Sequence, residues 1–454
     1  MTAGTTAGTT AGTVRYEADA VVPCDVPGKV FRPGVVEVSG GVVSHVGSRG
    51  SDAPAGSAAD GMRTVLVEGA LLPGLVNVHC HSPMTLFRGS GENLPLYRWL
   101  NEVLWPREAR LTAEDVYWGM TLAAAELLCF GVTTTCEAYF FEDALADAVV
   151  AAGSRAVVTP AILRTPAPPA GDGWWDRRIA EVVDFSKRRH GQEGRIEVGF
   201  APHAAYSVPL PVLGDIAAEA RTHDALFHIH LAETEDECVR FEAEYGGSTP
   251  AVLADAGIFE GRVLAAHSIW LSPGDREIYR RHDVAVAHCP QSNAKLASGM
   301  APLVDLLAQG TRVGLGTDGP ASNNDLDLWE DMRLAAMVAR LRERDAGAIP
   351  AASALDLATR SGGLALDRAD LGVLAPGSQA DMIAVRLDDP VFSPLLSDAH
   401  LIEHLVWSAS SRLVSGVWVA GTKVVEAGRC LTVDVDRARH EVQRRAERLE
   451  QSGS

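Results

Sequence analysis

No apolar run in this chain approaches the roughly 18 residues that a membrane helix requires, so no membrane span is expected. Paired cysteines are missing too. Seven are scattered from Cys24 to Cys430 without a CxxC pair, which excludes a disulfide framework and points to a reducing, cytoplasmic setting. Positive charge is scarce, with 40 Lys and Arg against 59 Asp and Glu and a net charge of −19. A surface that acidic repels phosphate backbones and anionic lipid, so neither a nucleic-acid nor a membrane partner is expected. The opening MTAGTTAGTTAGT has neither a basic stretch nor an apolar one, so no secretory signal is expected. A Gly-rich phosphate loop is also absent, because GSGEN at 89–93 lacks the G-x-G-x-x-G spacing. That disfavours a doubly wound nucleotide-binding sheet.

What is present is ordinary globular material, 47% apolar and 22% charged over 454 residues. That length exceeds one domain of about 150 residues but suits a barrel enzyme with an added module. Residues 1–13 are a Thr/Ala/Gly repeat with nothing to bury and read as a disordered tail. Short β-branched runs broken by Gly and Asp fill 14–72, and the same texture returns over 372–454 before a charged helix from about Asp434 to Gln451. The two flanks are expected to build one composite β-sandwich. Between them, over 73–371, eight apolar runs alternate with helical patterns such as EDVYWGMTLAAAELLCFG and TPAVLADAGI. The runs lie at 72–79, 132–140, 156–163, 195–203, 226–233, 262–268, 284–290 and 312–318. Eight strands alternating with helices predict a (β/α)8 TIM barrel.

Several runs end in His, Glu or Asp, and in a barrel those ends form the rim where catalytic groups gather. His79 and His81 are two apart on the first run; residues i and i+2 of a strand share a side, so both imidazoles can reach one metal ion. His230, His267 and Asp318 end the fifth, sixth and eighth runs. A lone HxH is commonly a surface accident, whereas five such groups at strand ends read as a metal site. His228 and His230 share a face by the same rule, so periodicity does not choose between them. Glu233 lies just past the fifth strand, within reach of a substrate above the metal, and the glycines of GTDGPASN let Asp318 approach closely. Cys80 points away from the histidines, and the adjacent His288 and Cys289 read as barrel packing. The fourth run, RIEVGFAPH, has no lysine that could bridge two metals once carbamylated, so a single metal is expected. Three His and one Asp, with water completing the shell, describe a catalytic site that keeps an open position.

The segments LPGLVNVHCHSPMTLFRG, HIHLAET, AAHSIWLS, HCPQSNAKLASGMAPL and GTDGPASNNDLDLWEDMRLA resemble the amidohydrolase superfamily. Within it they are similar to the adenine-nucleoside deaminases acting on S-adenosylhomocysteine and methylthioadenosine, near the chlorohydrolases. The resemblance implies a barrel with a composite β-sandwich, a small-molecule nucleoside substrate and one divalent metal per chain, usually zinc and sometimes iron. Carried over residue by residue, His79, His81, His230 and Asp318 match the metal ligands, and His267 matches the histidine that contacts the metal-bound water and Asp318. Glu233 matches the acid/base that protonates a ring nitrogen. Glu108 in PREARLT matches the glutamate that binds ribose hydroxyls, and His203 in GFAPHAAY matches a substrate-binding histidine. Ser322, Trp99 and Trp105 are expected around the pocket. A homo-oligomer is expected.

One position departs from the pattern. An arginine of some relatives aligns with Pro160, and Arg164, or Arg177 and Arg178 in the Pro/Gly/Trp-rich loop TPAPPAGDGWWDRR, are the candidates to replace it at a substrate carboxylate. The implied reaction is hydrolysis of the C6–N bond of adenine. Rival readings are displacement of chloride or an alkylamine from a triazine, or deamination of another aminopurine such as guanine or aminodeoxyfutalosine. Glu108 discriminates, because a diol binder is useless to a triazine. A non-catalytic scaffold would need a broken ligand set, and this set is intact.

Overall fold

A computed structural model describes residues 12–50, 62–164 and 173–451, so the 1–13 tail lies outside the described residues apart from its last two. The chain opens with strands β1 (Val14–Val21), β2 (Gly34–Ser39), β3 (Val42–Ser48) and β4 (Arg63–Pro73). The middle supplies β5 (Leu75–Cys80), β6 (Val132–Tyr139), β7 (Arg155–Ile162), β8 (Ile196–Val198), β9 (Ala201–Pro202), β10 (Phe227–Leu231), β11 (Val263–His267), β12 (Ala285–His288) and β13 (Val313–Leu315). The end adds β14 (Met382–Val385), β15 (Val414–Val419), β16 (Thr422–Glu426) and β17 (Arg429–Cys430).

Both flanks do join. They form one eight-stranded mixed sheet in the order β17-β16-β15-β14-β4-β1-β2-β3, with β4 parallel to β1 and antiparallel to β14. Tyr16 and Trp418 meet edge to face at 5.5 Å over one of its faces, in a cluster with Val36, Val38, Met382 and Ala384.

All eight predicted middle runs are strands. β5 to β8 form one parallel sheet, with β9 beside β7, and β10 to β13 form a second. Helices separate them, among them Ala113–Cys129, which starts with a Thr112/Asp115 capping box, and Thr249–Asp255, capped by Ser248. Single parallel bridges link the two sheets at Cys80–Asp318, Phe200–Phe227 and Ala204–His230. Val76, Val78, Cys136, Val157, Leu264, Ala266, Ala285 and Ala287, drawn from both sheets, share one buried cluster with Leu366 and Leu371. Fully buried parallel strands read as near-continuous apolar runs for this reason.

The flank is locked to the middle by a buried pair. Arg155 at the start of β7 holds Asp381 beside β14 through two contacts of 2.9 and 3.1 Å, the bidentate geometry that suits guanidinium. The C-terminal helix Val435–Gln451 lies against Ala113–Cys129, where Arg445 and Arg448 reach the buried Asp115 at 3.1 and 2.6 Å. Residues 173–178 correct the loop expectation. Helix Trp174–Arg189 begins there, entered through Gly173 at φ 76°, and Gly adopts that left-handed conformation without a Cβ penalty. Among the described residues no helix is long and apolar enough to cross a membrane, and every cysteine is free.

Candidate active site

The ends of β5, β10, β11 and β13 converge. One ligand atom from each of His79, His230, His267 and Asp318 lies within 4.8 Å of the others. His81 belongs beside them: its Nε2 is 3.2 Å from His230 Nε2 and 3.3 Å from Asp318 Oδ1. Local backbone makes this possible. His267 (φ 68°) and Asp318 (φ 58°) sit in the left-handed region, as does Ala232 (φ 52°) just before Glu233, and such conformations gather at functional sites. Gly316 admits the final turn, since a Cβ there would meet the His79 Cβ and carbonyl oxygen at 2.8 Å.

The hydrogen bonds reveal which ring nitrogens carry protons. His81 Nδ1 donates to the Ala138 carbonyl (2.6 Å) and His230 Nδ1 to the His203 carbonyl (2.8 Å). A carbonyl only accepts, so each neutral ring presents an Nε2 lone pair to the cluster. These lone pairs face each other at 3.2 Å, and that of His81 faces Asp318 Oδ1 at 3.3 Å. His79 Nε2 is likewise buried without a hydrogen-bond partner, and burial lowers the His79 pKa to about 4, which keeps the ring neutral. Converging, unpartnered acceptors repel unless a cation lies among them, and imidazoles with one carboxylate are a zinc donor set. The residues therefore fit a divalent metal. Asp318 leaves Oδ1 for that purpose, because Oδ2 accepts from Ser292 and Ser322, each at 2.7 Å.

A cavity opens over the cluster. Glu233, Glu108, His203, Trp99, Trp105 and Ser322, all proposed from the sequence, line it together with His81, His230, His267 and Asp318. Glu233 Oε2 is 3.8 Å from His267 Nε2. Burial, and then the nearby Asp318 carboxylate, push the Glu233 carboxyl well above the usual range, which favours its protonated form. Glu108 is also buried, and its pKa is pushed up to about 8. The Tyr139 hydroxyl beside it favours ionisation, but not in hydrogen-bonding geometry: Glu108 Oε1 and the Tyr139 hydroxyl are both buried without a partner. The C-terminal helix steadies this segment, with Arg107 pairing with Glu450 (2.7 Å) and Arg110 donating to the Leu449 carbonyl (2.5 Å). His203 Nδ1 donates to Ser207 (2.8 Å), whose hydroxyl donates onward to the Ala204 carbonyl (3.1 Å). Its Nε2 is thereby an acceptor, on a ring that burial keeps neutral with a pKa near 3.

Several contributors were not singled out from the sequence. Asn293 Oδ1 accepts from His267 Nδ1 at 2.9 Å, and Ser292 holds Asp318; both lie in the quoted segment HCPQSNAKL, but nothing in their spacing assigned a role. Leu96, Leu100, Leu104 and Leu163 complete an apolar wall. The arginine candidates do not reach it. Arg164 is exposed and outside the cavity lining, as is Arg177, and Arg178 is committed to Glu142 through contacts of 2.8 and 3.1 Å.

Residues 70–424 match the Amidohydrolase family. The chain is 40% identical over 434 residues to a 5-methylthioadenosine/S-adenosylhomocysteine deaminase of Pelotomaculum thermopropionicum, covering 94% of this chain and 97% of that protein. It is 37% identical to a 5′-deoxyadenosine deaminase of Methanosarcina mazei, covering 94% and 96%. An adenosine deaminase from Xanthomonas campestris, solved with bound zinc, superposes with a TM-score of 0.90 at 34% identity, covering 96% and 98%. With five metal-seeking side chains gathered at its strand ends and a family match across most of its length, the chain belongs to the amidohydrolase family.

Proposed function

We propose that this chain is a zinc-dependent hydrolytic deaminase that converts adenine nucleosides (adenosine, 5′-methylthioadenosine, S-adenosylhomocysteine) to their inosine analogues and ammonia. One observation carries the reading: a single cavity is lined both by the His/Asp cluster with the buried acid Glu233 and by Glu108, whose Oε1 is buried without a partner. The two curated relatives and the zinc-bound structure support it. The free cysteines support a cytoplasmic location.

His79, His81, His230 and Asp318 would hold the zinc. When bound, the metal supplies a Lewis acid that brings deprotonation of a water toward neutral pH. Asp318 and His267 orient the attacking water and take its proton, while the water oxygen bonds to C6 of the purine. Glu233, protonated in its buried setting, gives its proton to N1 as that bond forms. The proton taken from water passes to the exocyclic nitrogen, the C6–N bond breaks and ammonia leaves. The remaining hydroxyl proton returns to Glu233 as the ring reaches its keto form. Glu108 and the His203 Nε2 accept from the ribose hydroxyls, with Trp105 and Ser322 lining the same space.

The scaffold read around this site is a (β/α)8 barrel over 73–371. Bridges at both seams between the two parallel sheets and a buried cluster fed by both support closure. A composite β-sandwich over 14–72 and 372–454 is supported by the Tyr16–Trp418 contact, which brings separate parts of the mixed sheet together.

Glu108 gives this reading a pH signature. With a pKa near 8, its carboxyl is mostly protonated at pH 7 and ionises as pH rises, becoming the acceptor a vicinal diol needs. KM for adenosine should fall by up to tenfold between pH 7 and pH 9, and Glu108→Gln should flatten that profile. An unchanged pH dependence in the variant contradicts the diol role.

The tail of the nucleoside should matter less. No Lys or Arg lines the cavity among the described residues, and residues 165–172 include neither. Ultraviolet-monitored turnover of adenosine, methylthioadenosine and S-adenosylhomocysteine should give kcat/KM values within about tenfold of one another, because each tenfold corresponds to only about 1.4 kcal/mol. Guanine and triazines should be inert. Strict dependence on the S-adenosylhomocysteine tail, or robust guanine turnover, would overturn the assignment.

A further inference from the structure

Behind the cluster lies a second histidine that the reaction above does not use. His228, on β10 one layer below His230, is buried, and its Nε2 is 2.8 Å from His79 Nδ1. On its other side, His228 Nδ1 is 3.1 Å from Thr159 Oγ1 on β7. Thr159 in turn donates its hydroxyl proton to the Glu137 carbonyl at 3.0 Å on β6.

This chain has a direction. The Glu137 carbonyl can only accept, so the single Thr159 proton is committed to it. The Thr159 oxygen must then accept from His228 Nδ1–H. His228 Nε2 is left as a lone pair and must accept from His79 Nδ1–H. The last nitrogen in line, His79 Nε2, is thereby the lone pair that faces Asp318 Oδ1 at 3.3 Å. His81 and His230 reach the same tautomer directly through backbone carbonyls. For His79 no carbonyl takes that part, and the side-chain relay replaces it.

We propose that Thr159 and His228 form a buried relay that fixes the tautomer of His79 so that its Nε2 is presented to the metal. Both are positioning residues, and the inference rests on the metal-binding reading of the cluster. It also accounts for two histidines in HIHLAET sharing one face: His230 presents its Nε2 to the cluster, and His228 sets the ring that does so from β5. Without the Thr159 oxygen as acceptor, His228 loses its reason to keep the proton on Nδ1. The opposite tautomer would put Nε2–H against His79 Nδ1 and move the His79 proton to Nε2, where it blocks ligation. Cys136 Sγ, 3.6 Å from His228 Nδ1, is a weaker acceptor.

Zinc affinity of the full-length apoprotein, measured by competition with a chromogenic chelator, tests the relay independently of turnover. Outer partners of metal-ligating histidines are typically worth about 10–100-fold in affinity. Thr159→Val, nearly isosteric, should weaken zinc binding by at least tenfold while the melting temperature in chelator stays within a few degrees of the parent. Thr159→Ser, which keeps the hydroxyl, should stay within about threefold of the parent. His228→Gln, whose amide can both accept from His79 and donate to Thr159, should bind zinc at least fivefold more tightly than His228→Leu, and this pair decides the matter if Thr159→Val does not fold. Zinc affinity of Thr159→Val within threefold of the parent, or His228→Leu equal to His228→Gln, would overturn the relay. A parent chain that binds no zinc would instead refute the metal reading on which it rests.

Discussion

Glu233→Gln should lower kcat for adenosine by about 10²–10⁴-fold, the usual worth of a positioned acid/base, with zinc content unchanged near one ion per chain. The amide keeps the size and the burial of the carboxyl but cannot deliver a proton to N1. Glu233 is assigned to proton transfer rather than to the metal, and it stands 3.8 Å from Nε2 of His267, the residue assigned to the attacking water. Metal analysis and single-turnover kinetics on the same sample check both halves. A variant with near-parental turnover refutes the proton assignment, and one that loses its zinc makes Glu233 part of the metal site.

Replacing Asp318 should be as severe for a different reason. Asp318→Ala removes the carboxylate that faces the His79 and His81 Nε2 lone pairs and leaves Ser292 and Ser322 without their shared acceptor. Zinc affinity should fall by more than the roughly 100-fold typical of outer partners, and turnover should fall with it. His79→Ala should behave alike. His267→Ala should differ, losing turnover while keeping most of the zinc, because His267 is assigned to the attacking water. Inductively coupled plasma analysis against turnover separates the cases, and equal loss of both in His267→Ala makes His267 a ligand.

Much of the site was legible because strand geometry is simple. A period of two placed His79 and His81 on one side, and the ends of eight apolar runs fell where His230, His267 and Asp318 now converge. The glycines of GTDGPASN signalled the close approach that the Gly316 backbone makes to His79. The same period of two could not separate His228 from His230, since both satisfy it. Depth along the strand separates them, and depth is set by neighbours on β5 and β7 that a single segment does not reveal. The sequence also showed that both flanks were β-rich, but not that β4 would lie parallel to β1 and antiparallel to β14 in one sheet. Pairing of that kind joins residues some 300 positions apart (Ala384 opposite Leu71, for instance). The arginines at 177 and 178 were misplaced because Pro and Gly upstream masked a helix start; once folded, Arg178 is spent on Glu142.

The most direct test of the central claim is to incubate the purified chain with methylthioadenosine and follow both the adenine-to-hypoxanthine absorbance change and free ammonia. The account predicts one ammonia per nucleoside converted, loss of activity on chelation, and recovery on returning about one zinc per chain. A zinc-loaded chain that converts no adenine nucleoside, or conversion that survives complete removal of metal, would contradict it.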